Sequence, residues 1–268
     1  MIILGITGAI GHGKTTLAAA FLRQVKGAQH IESSTLISRV ADELNKHFLP
    51  SKPMSDNIAA INAWLSHLPG ILQTIAHHPG ELAPIHIPPQ HNLHSDPAYQ
   101  KLAEYLDLVA TNHSLVTQTI TEANKETYRP LLQWIGGFVT KQMDPTLWYD
   151  ELIRHANQAE AEGCPLFVVG GVRFPSDAQV VHAAGGKIVA IERPNLAKQD
   201  TADPTEAFRS MVPTDTTIIN DGDMGALDHV VVMLWQDVQK EELKTRYQAT
   251  RLAFDASGAP DIQSRELL

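Results

Sequence analysis

The sequence predicts an α/β fold with a five-stranded parallel sheet flanked by helices, and three observations predict it. Short apolar runs rich in β-branched residues recur at residues 2–7, 166–169, 187–191 and 216–219, bounded by Gly, Pro or Asp, which is the pattern of buried strands. Residues 29–32 form a weaker fifth run. Helical periodicity separates these runs, and strands that alternate with helices lie parallel, because a parallel connection must cross over the sheet. The first run ends in a glycine-rich turn that leads directly into a helix.

The helix after that turn sets Leu17, Phe21, Leu22 and Val25 at the spacing of one face. A helix over residues 35–46 follows the 29–32 run. Residues 50–160 then break the alternation with amphipathic segments such as 99–109 and 128–142, which read as an inserted helical subdomain. The core is therefore made of residues 1–49 and 161–268. Residues 176–184 form the crossover helix between two strands. The stretch from about 194 to 213 is rich in Pro, Thr and Asp, lies between strands, and reads as a lid. A last helix over residues 227–247 places Leu227, Val230, Val231, Leu234 and Val238 on one face.

Composition narrows the function. Of 268 residues, 43% are hydrophobic and 19% charged, enough to bury a sizeable core. A formal net charge of -9 opposes general binding to nucleic acid, which rests on many Lys and Arg contacts to phosphates. The single cysteine, Cys164, can form no intramolecular disulfide and no cysteine-based zinc site, which suits a reducing, cytoplasmic setting. The N-terminal apolar stretch runs straight into the glycine turn and does not read as a leader. No apolar run reaches the roughly 18 residues of a membrane span.

The turn itself is the most specific feature. Gly8-Ala9-Ile10-Gly11-His12-Gly13-Lys14-Thr15 fits G-x-x-x-x-G-K-[ST], with a strand before it and a helix after it. Glycines let successive N–H groups converge on phosphates, and the helix N-terminus adds positive potential. Lys14 is expected on the β- and γ-phosphates, the Thr15 hydroxyl on a magnesium ion, and Thr16 on the α-phosphate. ATP and Mg2+ are thus the expected cofactors. A GTPase is excluded, since Asn124-Lys-Glu-Thr127 lacks the aspartate of N-K-x-D and falls within the helical insertion.

An ordered set of segments carries more. Tyr128-Arg-Pro-Leu-Leu-Gln-Trp-Ile-Gly-Gly137, Asp144-Pro-Thr-Leu-Trp148, Val172-Arg-Phe-Pro175, Ala184-Gly-Gly186 and Ile191-Glu-Arg-Pro194 together resemble the deoxynucleoside monophosphate kinases of the bacteriophage type, relatives of dephospho-CoA kinase. The resemblance implies a P-loop kinase fold with a helical acceptor-binding region and a mobile lid. It also implies transfer of the γ-phosphoryl of ATP to a nucleoside monophosphate as partner. A homodimer is left open.

Phosphoryl transfer is mostly positioning and charge neutralisation, so cations must converge on the donor and acceptor phosphates. Arg173 and Arg193 each follow a strand, Arg209 sits before the last strand, and Arg129 begins a helix of the insertion. Guanidinium forks suit phosphate oxygens. For the acceptor, the Gln133 amide can read a base edge and the Trp148 indole can stack on one, although Trp148 also reads as core. Glu32 and Ser34 end the second strand, where related kinases place a polar or acidic group near the acceptor. Asn220, in Ile218-Ile-Asn-Asp-Gly222, lies where the adenine-facing loop is expected and can reach the base edge.

The chain departs from the family pattern in three places. Gly171 stands where the family has an aspartate immediately before Val-Arg-Phe. Asp203, within Asp203-Pro-Thr-Glu206 after Asp200, replaces a histidine. Residues 77–94 hold His77, His78, His86, His91 and His94 among prolines. Clustered histidines can bind zinc, but no i, i+4 pair and no cysteine partner is present, and the segment reads as a polar excursion of the acceptor region. The Gly171 departure keeps open a nonkinase ATP-binding switch or regulatory ATPase, and a dephospho-CoA kinase-like enzyme of the same fold is a separate alternative.

Overall fold

The computed structural model describes residues 1–48, 57–194, 196 and 208–256. Five strands, β1 (Ile2–Thr7), β2 (Gln29–Glu32), β3 (Leu166–Gly170), β4 (Lys187–Glu192) and β5 (Thr216–Ile219), form one sheet in the order β2-β3-β1-β4-β5. Every pairing is parallel, with Ile2 opposite Leu166 on one side of β1 and Leu4 opposite Lys187 on the other. The chain moves outward from β1 to β2, returns to β3, and then crosses β1 to β4. That reversal opens a crevice at the C-terminal ends of the strands, where open α/β sheets bind ligands.

Two apolar layers cover the sheet. On one face, Leu4, Ile6, Val168 and Val189 pack against Leu17 and Phe21 of α1 (Lys14–Gln24) and against Leu227 and Val231 of the C-terminal helix. The other face takes Ile3, Phe167 and Ile188, which alternate along the strands with the first set. Those residues pack against α2 (Ser33–Asn45) and against the helices between β2 and β3. These are α3 (Ile58–Leu65), α4 (Leu68–Ile75), α5 (Gln100–Thr111), α6 (Arg129–Phe138) and α7 (Leu147–Ala161). The helical segment and this face of the sheet share one continuous core. Within it Trp64 Nε1 donates to the Leu44 carbonyl at 2.8 Å and the Tyr105 hydroxyl to Asn45 Oδ1 at 3.0 Å. The crossover helix α8 (Pro175–Ala183) and the C-terminal helix α9 (Met224–Ala256) complete the fold.

Several expectations need correction. Leu22 is 41% exposed, because it lies one step past the arc of α1 defined by Leu17, Ala18, Ala20 and Phe21. Val230 is likewise exposed on α9, while Leu227, Val231 and Val238 are buried. β5 is an edge strand in which only Ile218 is buried. The helix expected over 128–142 changes to a π turn at Val139–Met143, where the Thr140 hydroxyl donates to the Gly136 carbonyl at 2.8 Å and the Asp144 N–H reaches Val139. Within the expected lid, residues 195 and 197–207 lie outside the described residues, and Asp200, Asp203 and Glu206 are among them.

Candidate active site

The turn after β1 curls as its glycines require. Gly11 and Gly13 hold φ of 80° and 101°, in the left-handed region that side chains disfavour. A β-carbon on Gly13 would stand 2.6 Å from Asn220 Nδ2, and one on Gly11 would stand 2.9 Å from Leu196 Cδ2. The loop is therefore a close cradle of backbone at the N-terminus of α1, which is the geometry that binds phosphates. Lys14 Nζ lies over it, donating to the carbonyls of Gly8 at 2.8 Å and Ala9 at 2.9 Å. Ile10 stands with Lys14 and Thr15 on the cavity side of the loop. Thr16 is half-buried, one residue further into the helix.

The ends of β4 and β5 brace the back of the loop. Asn220 Nδ2 donates to the His12 carbonyl at 2.9 Å, and its backbone N–H donates to the Glu192 carbonyl at 2.7 Å. The Arg193 N–H donates to His12 Nδ1 at 3.2 Å. The Asn220 amide, expected at a base edge, thus gives one of its N–H groups to the P-loop. The exposed Arg193 flanks the loop away from the cavity lining.

In front of the loop, a cavity of about 370 Å³ separates the sheet edge from the helical segment. Lys14 and Thr15 line one wall, and Glu32 and Ser34 line the next. Arg129, Gln133 and Trp148 face them from α6 and α7, and Arg173 and Arg209 close the remaining side. Three of the four arginines expected at the site therefore meet there. Trp148 is only 4% exposed, with Nε1 directed at the Gly136 carbonyl at 3.4 Å, so core packing fixes it while an edge reaches the cavity. Arg129 makes a forked pair with Glu126 at 2.7 and 2.6 Å.

Other groups stand at the cavity beyond those expected there. The Tyr149 hydroxyl donates to the Gly170 carbonyl at 3.3 Å, and burial pushes its pKa well above the usual tyrosine range. Asp177, 4% exposed, lies in the first turn of α8, and its Oδ2 accepts the N–H groups of Arg173 and Phe174, each at 2.9 Å. Burial pushes the Asp177 carboxyl up to about 6, against the pull of those two donors. Its place after Pro175 is a helix-start signature, the signal the sequence carried for it. Gly171, where the family has aspartate, holds φ of 78°, so a side chain there would be strained. Lys125 also lines the cavity, from the segment read only as a failed guanine motif.

Three of the five histidines of residues 77–94 stand close to carboxylates. His77 Nδ1 stands 3.2 Å from Glu151, His78 Nε2 stands 2.9 Å from Asp144, and His91 Nε2 stands 2.8 Å from Asp96. Among the described residues no group of three or more His, Cys, Asp or Glu is arranged to hold a metal ion. No helix among them is long and apolar enough to cross a membrane.

A P-loop at the switch point of a parallel sheet, faced by arginines across a cavity beneath a helical segment, defines a P-loop phosphotransferase. Residues 86–231 match the family described as deoxynucleotide monophosphate kinase, and the chain belongs to that family. The match covers α5 to α7 of the helical segment and runs from β3 to the first part of α9, while α3, α4 and the P-loop motif stand outside it. A search of curated protein sequences finds no match to the chain. As a member of this family the protein is an ATP-dependent phosphotransferase.

Proposed function

We propose that the chain transfers the γ-phosphoryl of ATP to a deoxynucleoside monophosphate, giving the diphosphate. One observation carries this reading: a single cavity of about 370 Å³ is walled on one side by the P-loop residues Lys14 and Thr15 and on the other by Arg129 and Gln133 of the helical segment. Donor and acceptor can therefore meet within one enclosure, which is what direct transfer requires. In this reading residues 1–49 and 161–268 hold the donor, and residues 50–160 hold the acceptor.

The residues present fit a nucleotide. Backbone N–H groups from Gly8 to Thr16 would cradle the phosphates, with Lys14 turning from the Gly8 and Ala9 carbonyls to the γ-phosphoryl. A magnesium ion bound with the nucleotide would neutralise phosphate charge, and Thr15, a hard oxygen donor beside Lys14, would hold it. Arg173 and Arg209 would steady the transferring group, and Gln133 would read the acceptor base. Glu32 and Ser34 would face the acceptor phosphate. Arg193 would act from the flank of the loop, and Asn220 through the His12 carbonyl. Gly171 does not leave the cavity without an acid at this turn, since Asp177 supplies one. That arrangement favours turnover over a nonkinase switch.

The test is a panel of ribo- and deoxynucleoside monophosphates with ATP and magnesium. ADP formation should depend on one class of acceptor. Equal ADP release without any acceptor would overturn the kinase reading. Lys14→Ala should lower ATP affinity at least about tenfold, since it removes a charged phosphate contact.

A further inference from the structure

The segment Asn124-Lys-Glu-Thr127 fails as a guanine motif, yet the fold delivers it to the cavity wall opposite the end of β2. Lys125 Nζ donates to Ser34 Oγ at 3.2 Å, and Ser34 Oγ donates to Glu32 Oε2 at 3.0 Å. Lys125 Nζ also donates to Glu122 Oε1 at 2.9 Å. The contact with Ser34 spans 91 residues of sequence, so tertiary structure alone creates it.

We infer that Lys125 is the cation that takes the phosphate of the acceptor nucleotide, an assignment that rests on the kinase reading above. Three carboxylates, Glu32, Glu122 and Glu126, line this side of the cavity, and together they would repel a phosphate dianion. Lys125 stands between two of them, bonded to Glu122 directly and to Glu32 through Ser34. An ammonium has three N–H donors, and these contacts use two, which leaves one for a ligand oxygen. Arg129 is less suited to the post. Its side chain is 50% exposed and its fork is closed on Glu126, whereas the Lys125 side chain is 22% exposed. A charge in the more enclosed position is screened less by solvent and salt.

The test compares the full-length protein with Lys125→Ala and Lys125→Gln, the second keeping a donor for Ser34 while losing the charge. If the wild type phosphorylates a deoxynucleoside monophosphate, both variants should raise the KM for that acceptor about tenfold or more and leave the KM for ATP within about twofold. An acceptor KM unchanged in both, with turnover intact, would overturn the assignment and spare the kinase reading. If the wild type phosphorylates no monophosphate, the kinase reading fails, and calorimetric titration decides the assignment separately. Wild-type binding of a monophosphate in clear preference to its nucleoside, with that preference abolished in Lys125→Gln, would support it. No preference in the wild type, or the same preference in the variant, would overturn it. Thermal unfolding of each variant within a few degrees of wild type shows that the fold is kept.

Discussion

The carboxylate of Asp177 reaches back under the turn that presents Arg173 and accepts that residue's backbone N–H at 2.9 Å. The same oxygen accepts the Phe174 N–H at 2.9 Å, so one atom fixes the turn between β3 and α8. Arg173 thus inherits its place at the cavity from a residue four positions later.

The buried Asp177 also makes stability depend on pH. Its folded pKa of about 6 lies above the ordinary 3.8, so the folded state binds more protons between those values. Its contribution is therefore favourable at low pH and is lost as pH rises from about 4 to 6, by about 3 kcal/mol. Asp177→Asn keeps an oxygen for both N–H groups and removes the titration. Urea unfolding should show Asp177→Asn gaining on wild type between pH 4 and pH 7.5, with kcat lowered if the charge serves the cavity. A stability difference that stays constant with pH would refute the assignment of the slope to Asp177.

Much of the sheet and the P-loop was legible because local chemistry fixes it. Buried parallel strands must be short β-branched runs, and a phosphate loop must carry glycines where φ is positive, as Gly11 and Gly13 do. The direction of side chains was not legible. Asn220 occupies the expected loop and its amide nitrogen turns to the His12 carbonyl, because the approach of β5 to the P-loop brings that acceptor within reach. Leu22 and Val230 have the right periodicity yet lie outside the contact arc, whose width depends on the neighbouring element. The cavity wall beneath the helical segment depends on long-range meetings such as Lys125 with Ser34, which no spacing along the chain encodes.

The bracing of the P-loop by Asn220 separates two roles for that residue. If the amide acts through the loop, Asn220→Ala leaves the His12 carbonyl without its partner and costs about 1 kcal/mol or more of loop order. ATP and GTP affinities should then fall together, by about five- to tenfold, in equilibrium binding. A fall confined to ATP would show instead that the amide reads the base.

Phe208 joins three parts of the site. Its ring lies 5.5 Å from that of Phe174, beside the Arg173 turn, and Lys141 Nζ of the π turn stands 5.3 Å from its centroid. The next residue, Arg209, lines the cavity. Phe208→Ala should cost about 1 kcal/mol of stability through the lost ring and cation contacts. It should lower kcat several-fold by loosening Arg209, and Phe208→Tyr should restore most of it. Equal kcat in Phe208→Ala and wild type would deny the ring any part in positioning Arg209.

Glu151 anchors the histidine-rich segment to α7. Its side chain is 1% exposed and forms a fork with Arg154, both contacts 2.8 Å, while His77 Nδ1 and His155 Nε2 stand 3.2 Å away. Burial raises the Glu151 pKa, but the Arg154 hydrogen bonds and charge, with the two histidines, outweigh it and hold the carboxyl below its ordinary 4.5. A depressed carboxylate contributes stability above that value and loses it as pH falls through the folded pKa. His155 adds an earlier stage. Burial lowers its pKa below 6.5 despite Glu151, with Arg154, Arg39 and His77 adding to the effect, so the unfolded state gains protons first as the solution is acidified. Glu151→Gln should therefore cost about 2 kcal/mol at pH 7.5, since it removes charged hydrogen bonds at a buried site. It should deepen the loss of stability near pH 6, because His155 would no longer have its opposing charge. Below pH 4.5 the gap between variant and wild type should narrow, because wild-type Glu151 becomes neutral as well. Urea midpoints at pH 7.5, 5.5 and 3.5 measure all three effects, and a gap that widens below pH 4.5 would exclude Glu151 as the anchor.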